Sequence, residues 1–216
     1  MGQVFRPSIN TIAKVSIPAV LLILGGLLTV LVIVPRSPWV RGQKVPVEQP
    51  IQFSHKHHVG DVGVDCRYCH TSVETSSYAG IPSTNICMNC HSQIWSDSPT
   101  LQVVRDSYEN DVPLNWNLVH KVPDYAFFNH SIHVAKGMGC TTCHGPVGDM
   151  PVVWKGGTLL MEWCLQCHRN PEKYVRPQEA VFDPTWQPPA NQAEIGRQLV
   201  VQYNIEAKLD CYVCHR

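Results

Sequence analysis

The stretch Cys66-Arg67-Tyr68-Cys69-His70 decides how this sequence is interpreted, because its pattern, C-x-x-C-H, occurs four more times. The later copies begin at Cys87, Cys140, Cys164 and Cys211. Each copy uses two of the ten cysteines, so no cysteine of the sequence lies outside a copy. The residues of the five copies are Cys66, Cys69 and His70; Cys87, Cys90 and His91; Cys140, Cys143 and His144; Cys164, Cys167 and His168; and Cys211, Cys214 and His215.

The spacing within each copy fits the covalent attachment of a haem. Two thiols three positions apart on a helical turn can each bond one vinyl group of a single haem, and the next residue, histidine, can bind the iron. Zinc ribbons also use C-x-x-C pairs, but zinc needs no histidine directly after every second cysteine. A thioredoxin-like redox pair needs one motif in a βαβ context, and no leftover cysteine favours disulfides. We therefore predict five covalently bound haem c groups, held by ten cysteines and five proximal histidines.

Histidines outside the copies are the candidates for the second axial ligand of each iron. Neutral imidazole is a good iron ligand, and two imidazoles give a six-coordinate iron suited to electron transfer. A thioether from Met150 or Met161 is the alternative for one site. Six histidines lie outside the copies: His55, His57, His58, His120, His130 and His133. Of these six, we predict all except His57 as distal ligands.

Two stretches of the sequence share the pattern F-[SN]-H-x-x-H-V, at Phe53–Val59 and Phe128–Val134. Each is followed by two C-x-x-C-H copies, which predicts two tandem two-haem repeats, about 51–91 and 126–168. The i, i+3 spacing places the two histidines of each stretch on one helix face, from which they can reach two different haems. His57 has no counterpart in the second stretch and is predicted to be spare.

The predicted fold is a multihaem cytochrome c domain over 51–216, mostly α-helical and irregular, with little or no β-sheet. A capping-box pattern at Asn191 predicts a helix from there to about Lys208. That helix and the fifth copy form an appended unit, 191–216. We expect haem rings to replace much of the side-chain core.

An uncharged apolar run of 20 residues, 15–34, precedes this domain. As a helix it is long enough to cross a bilayer. A cleaved signal peptide would have an apolar region of about 7–15 residues and a small-residue cleavage site. This run is longer and ends in Val34-Pro35-Arg36. We therefore expect a retained transmembrane helix, followed by a proline-rich linker at 35–50.

Charge and chemistry together predict location and exclude one class of partner. Basic residues flank both ends of the apolar run, so the positive-inside rule gives no orientation. Haem c is attached outside the cytoplasm, which places 1–14 in the cytoplasm and the haem domain on the periplasmic side of a bacterial cytoplasmic membrane. Basic and acidic residues number 17 each, which argues against a nucleic-acid partner.

The sequence as a whole resembles the membrane-anchored pentahaem cytochrome c subunits of bacterial alternative complex III. The resemblance rests on FSHKHHV, AGIPSTNICMNCHSQI, LVHKVPDYAFFNHSIHV and LLMEWCLQCHRNPEKYVRP. It implies an electron-transfer subunit, with no chemistry of its own, in a complex that oxidises quinol. The implied partners are polytopic quinol-oxidising membrane subunits, an iron–sulfur subunit, and a monohaem cytochrome c or terminal oxidase.

Two other functions remain open from the sequence. Stand-alone membrane-anchored quinol dehydrogenases that feed periplasmic reductases also have one N-terminal helix and several haems, although the paired histidine stretches favour the complex. A multihaem reductase enzyme would need an iron with an open coordination position and acid/base groups beside it. The surplus of histidines leaves no iron obviously open.

Overall fold

A computed structural model describes residues 6–215 of the chain. The described residues divide into two compact units, one ending at Gly42 and the other beginning at Gln43. Residues 1–5 of the expected cytoplasmic segment, and the last residue of the expected 191–216 unit, lie outside the described residues.

The first unit is built on one long helix, α1, at Pro7–Ile33, which continues into a 3-10 turn at Val34–Arg36. It begins several residues before the apolar run and has proline in its first turn, where the missing N–H costs nothing. No residue of α1 is buried within the chain, and its mean hydropathy over the best window is 2.9. By length and composition α1 could therefore span a membrane, and no other helix among residues 6–215 meets that test.

The second unit is made of short helices joined by irregular segments. Each of the five C-x-x-C-H copies lies on a helix, and the helix that carries the second histidine stretch begins at His130. The first stretch instead forms a π-helix at Lys56–Asp61, with His55 at its N-cap. The α-helices are α2 (Cys66–Cys69), α3 (Thr84–His91), α4 (Gln102–Glu109), α5 (His130–Ala135), α6 (Cys140–His144), α7 (Met161–Arg169), α8 (Gln192–Gln202) and α9 (Cys211–Cys214).

Helices this short are not stable alone, so caps and tertiary contacts decide where they begin. The side chain of Asp65 accepts a hydrogen bond from the backbone N–H of Arg67 at the start of α2. The side chain of Asn129 does the same for Ser131 at the start of α5. Both caps satisfy backbone donors that have no partner inside the helix.

The described part of the second unit contains no β-sheet, only three isolated β-bridges. Two of them, Gln43↔Lys155 and Pro46↔Trp154, tie the end of the expected linker to the domain. Buried apolar side chains are few for a unit of this size, and one small cluster forms around Val73, Val134 and Val181. The mostly helical and irregular fold predicted from the sequence is therefore confirmed.

The helix predicted from Asn191 to about Lys208 is shorter than expected, because α8 ends at Gln202. Asn204 has a positive φ of 49°, which turns the chain out of the helix. Lys136 supports this end by donating from Nζ to the carbonyls of Tyr203 and Asn204, at 2.6 and 3.2 Å. The predicted capping box is also wrong, because the side chain of Asn191 makes no cap hydrogen bond.

Helix α8 packs against the 3-10 turn at Pro171–Lys173, directly after the fourth copy. The approach is close: a Cβ added to Gly196 would lie 1.8 Å from the carbonyl oxygen of Glu172. Gln192 strengthens the contact by donating to the carbonyls of Glu172 and Val175, at 3.1 and 2.8 Å. This packing holds α8 beside the segment that follows the fourth copy.

Candidate haem-binding sites

The ten cysteines of the five copies are all free thiols, and each is half-buried or exposed. Within each copy both cysteines lie on one turn of helix, three positions apart, so their side chains share a face. Among residues 6–215, no group of three His, Cys, Asp or Glu side chains converges as a metal site. The shared face of each pair of thiols suits the attachment of one bulky group to both.

Four of the five proximal histidines are fixed in the same way. Each donates from Nδ1 to a backbone carbonyl: His70 to Gly80 at 2.7 Å, His91 to Ile94 at 3.0 Å, His168 to Lys208 at 2.9 Å and His215 to Tyr125 at 2.9 Å. A carbonyl can only accept, so Nδ1 carries the proton and Nε2 keeps its lone pair. Metal-bound histidines are usually held by such a bond.

Three of the predicted distal histidines have the same arrangement. His58 donates from Nδ1 to the carbonyl of Ser54 (2.9 Å), and His133 donates to that of Asn129 (2.7 Å), in each case four positions earlier in the sequence. His130, in the second repeat, donates to the carbonyl of Ser77, in the first repeat, at 2.9 Å. These imidazoles also present a free Nε2.

Distances between imidazole rings test whether an iron would fit between them. Two imidazoles on opposite sides of one iron have ring centroids about 6 Å apart, since each nitrogen–metal bond is about 2 Å long. The pairs His58–His91, His133–His168 and His130–His144 have centroids 6.1, 6.2 and 6.3 Å apart. In the first two pairs, a distal histidine faces the second copy of its own repeat.

The two histidine stretches have matching aromatic contacts. Phe53 stacks on His58 at 4.3 Å and meets His55 edge-on at 4.9 Å. Phe128 stacks on His133 at 4.4 Å and meets His130 edge-on at 4.7 Å. The shared phenylalanine therefore orients both imidazoles of its stretch, which explains why it is part of the pattern.

Burial keeps several of these imidazoles neutral. It lowers the pKa of His55 and of His120 to about 4, and that of His144 to about 3, with smaller contributions from neighbouring positive groups. Burial lowers the pKa of His133 as well. Neutral imidazole is the form that binds a metal, so these side chains are ready to do so near pH 7.

Comparison with known proteins agrees with this geometry. The family described as cytochrome c7 and related cytochrome c matches residues 126–216. One curated relative, from Nitratidesulfovibrio vulgaris Hildenborough, is described as "Menaquinone reductase, multiheme cytochrome c subunit". It is 33% identical over 144 residues, covering 57% of this chain and 69% of the relative. The chain belongs to the cytochrome c7-related multihaem cytochromes c. It is an electron-transfer protein with covalently bound haem c.

Two histidines of this cytochrome are placed differently from the rest of the predicted distal set. The ring of His120 lies only 4.2 Å from that of His144, and its Nε2 accepts a hydrogen bond from the N–H of Gly156 at 3.3 Å. His55 is half-buried, and its Nδ1 is a buried atom without a hydrogen-bond partner. Neither ring is fixed by an Nδ1–carbonyl bond such as that of His58.

The predicted spare histidine and the two candidate methionines differ in their surroundings. His57 is exposed, stacks on Trp95 at 6.3 Å, and lies 3.8 Å from the carboxylate of Asp61. Met150 is fully buried and lies next to the third copy. Its Cε would be 3.4 Å from a Cβ added to Gly145, the residue after His144. Met161 is 65% exposed, so Met150 is the better placed thioether.

Contacts link the first three copies of this cytochrome in space. Tyr68 of the first copy accepts a hydrogen bond from Asn89 of the second, at 3.0 Å. The thiols of Cys66 and Cys140, which begin the first and third copies, are within hydrogen-bonding reach of each other. The thiol of Cys66 also donates to the carbonyl of Phe182 at 3.7 Å, and the backbone N–H of Cys140 donates to that of Val181 at 3.3 Å. The first copy therefore lies between the second and the third.

The fourth and fifth copies continue from the third. Gly156 and Gly157 lie between the third and the fourth copy. A Cβ added to Gly156 would come within 2.5 Å of the His144 backbone, and one added to Gly157 would come within 2.7 Å of the Trp163 ring. His168 of the fourth copy bonds to Lys208, just before the fifth.

Sequence reasoning did not identify Arg176, which lies buried against the third copy. Arg176 lies in LLMEWCLQCHRNPEKYVRP, one of the stretches on which the resemblance rests, but no cofactor pattern within that stretch gave Arg176 a role.

Proposed function

We propose that this chain carries five haem c groups as the electron-transfer subunit of a membrane complex that exchanges electrons with quinone. The observation that carries the proposal is the set of facing imidazoles about 6 Å apart, with Nδ1 bound to a carbonyl and Nε2 free. Such pairs leave no open coordination position, which suits electron transfer rather than substrate chemistry.

The proposed attachment residues are the ten cysteines, and the proposed proximal ligands are the five histidines that follow them. His58 and His133 are proposed to face His91 and His168, and His130 to face His144. His55 and His120 complete the set of distal ligands. For His120 to bind an iron through Nε2, it must give up its hydrogen bond from Gly156.

The spatial order of the copies supports a linear series of haems that passes electrons from one end to the other. The contacts described above favour an unbranched line in the order second, first, third, fourth, fifth, which differs from their order in the sequence. Electrons would then enter at one end of the line and leave at the other. The exposed cysteines Cys90 and Cys211 belong to the two copies at the ends, where partners can approach.

Location and partners are proposed from the anchor, the family and the resemblance. Helix α1 would hold the chain in a bacterial cytoplasmic membrane, with the haem domain on the periplasmic side. Polytopic quinol-oxidising subunits and an iron–sulfur subunit would supply electrons, and a monohaem cytochrome c or a terminal oxidase would take them.

The opposite direction of electron flow is the second candidate. The curated relative is described as a subunit of a menaquinone reductase, a name that denotes electron delivery to quinone. In that case the domain would collect electrons outside the cytoplasm and pass them to the membrane subunits.

Mass and co-purification test this proposal. Intact mass should exceed that of the apoprotein by five haems, and the haem should stay on the chain in a denaturing gel. Detergent-solubilised membranes should yield the chain together with polytopic subunits. A mass equal to the apoprotein would refute haem attachment, and a chain that purifies alone would favour a stand-alone quinol dehydrogenase.

A further inference from the structure

Arg176 is a buried cation pressed against the third haem-attachment copy. Only 3% of its surface is exposed. Its guanidinium donates to the hydroxyls of Thr141 and Thr142, the two residues between Cys140 and Cys143, at 3.0 and 3.1 Å. The fit is tight, because a Cβ added to Gly139 would lie 2.0 Å from Cζ of Arg176.

The charge of Arg176 is not balanced by an ion pair within the described part of the chain. Its remaining contacts are weak: one terminal nitrogen lies 3.4 Å from the carbonyls of Ala180 and of Asp183, and Nε is buried without a partner. The face of Trp186 covers the guanidinium at 4.2 Å. The carboxylate of Asp183 attracts the guanidinium but forms no ion pair with it among the described residues. A buried charge that is so weakly compensated is costly, so a role beyond stability is expected of it.

We propose that Arg176 raises the reduction potential of the haem attached at Cys140 and Cys143. The inference rests on the proposed function, because it requires a haem at this copy. Reduction of a haem held there would add one electron, taken from a neighbouring haem of the proposed line, and would remove one positive charge from the site, with no bond made or broken. A fixed positive charge in a low-dielectric region favours that change, and charge and burial near the iron set its potential.

The third copy occupies the middle of the proposed line, so this effect would make the middle haem a point where electrons collect. Arg176 acts through the field it creates and through the two threonines that it holds. It is therefore a positioning and tuning residue, and it does not bind the iron.

Arg197 provides a control. It is a cation of the same domain, but it lies outside the five copies, on the exposed side of α8. Water and salt screen an exposed charge, so the loss of Arg197 should leave the haem potentials nearly unchanged.

The experiment is a spectroelectrochemical titration of the haem-loaded full chain in detergent, with haem content measured for each variant. In Arg176→Gln, one fifth of the α-band absorbance should shift to lower potential. We expect about a tenfold change in the ratio of reduced to oxidised haem, which equals about 59 mV for one electron. Arg197→Gln should not shift any component. Equal behaviour of the two variants would overturn the proposal.

Arg176→Lys keeps the experiment decisive if Arg176→Gln does not load haem. Lysine retains the positive charge and loses only the planar guanidinium, so the ratio of reduced to oxidised haem should stay within threefold of the wild-type value. A tenfold downward shift in Arg176→Lys would refute the electrostatic explanation. Absence of haem from the wild-type chain would instead refute the proposed function, so the two failures can be told apart.

Discussion

At the scale of single residues, His57 and His58 are neighbours in sequence but differ in what holds the Nδ1 of each ring. In His58, Nδ1 donates to the carbonyl of Ser54, and the ring centroid lies 6.1 Å from that of His91. His57, its neighbour in sequence, is exposed and points to Asp61 instead. His57→Ala should therefore leave all haems low-spin, whereas His58→Ala should convert one haem to high spin. Low-temperature electron paramagnetic resonance measures both outcomes.

His133→Ala is the matched control for this comparison, because His133 occupies the same position in the second stretch. It should also yield one high-spin haem. High-spin signal in His57→Ala would mean that the histidine alignment is shifted by one position.

At this scale, the sequence allowed a prediction only where the interacting residues lie close together in the sequence. The spacing of each C-x-x-C-H copy predicts the attachment residues, because the two cysteines lie on one helical turn. The carbonyls that fix His70, His168 and His215 lie 10, 40 and 90 positions away in the sequence, so they could not be predicted. The contact of Arg176 with the third copy could not be predicted for the same reason, since its partners Thr141 and Thr142 are 35 and 34 positions away.

At the scale of elements, the contact between α8 and the turn after α7 depends on one glycine. A side chain at Gly196 would meet the carbonyl of Glu172, which is backbone and cannot swing aside. Gly196→Ala should therefore destabilise the domain by about 1–3 kcal/mol, the usual cost of overpacking. Thermal unfolding of the haem-loaded protein, followed by circular dichroism, measures the loss.

Gln198→Ala is the control for this change, because Gln198 lies on the exposed side of the same helix. It should alter stability by no more than about 0.5 kcal/mol. Equal stability of the two variants would show that α8 does not pack through Gly196.

Sequence patterns predicted which elements exist better than where they end. The two F-[SN]-H-x-x-H-V stretches share one pattern, yet one forms a π-helix and the other an α-helix. In the first, Gly60 lies against the carbonyl of Gly148, a contact with a distant segment. The end of α8 likewise depends on Lys136, which lies far away in the sequence. Tertiary contacts of this kind leave no local signal.

At the scale of the whole molecule, the boundary between the two units predicts where the chain can be divided. Residues from Gln43 onward belong to the second unit: Lys44 and Val47 donate backbone hydrogen bonds to the carbonyls of Lys155 and Val153, at 3.1 and 3.2 Å. A chain that starts at Gln43 behind a cleavable export signal should therefore be water-soluble and carry its full set of haems. Fractionation and haem quantification check this.

A second truncation that starts at Ile51, the end of the linker predicted from the sequence, sharpens that test. It lacks both hydrogen bonds and the β-bridges at Gln43 and Pro46. It should unfold at a lower temperature than the chain that starts at Gln43. Equal melting temperatures would mean that residues 43–50 act only as a tether.

The last prediction concerns whether quinone reacts at this chain or at its partners. A site that oxidises quinol must accept two protons, and ionisable residues within the membrane mark such pathways. Within 15–34 the side chains that could bond to quinol are only Ser16 and Thr29, and the hydroxyl of Thr29 is already bonded to the carbonyl of Gly25 at 2.8 Å. Lys14 lies at the edge of the run. The purified chain should therefore be reduced fully by dithionite but only slowly by a quinol analogue. In the intact complex, stopped-flow spectroscopy should record rapid reduction of its haems by the same quinol. Rapid reduction of the isolated chain would instead assign it a quinol site of its own and make it a stand-alone quinol dehydrogenase.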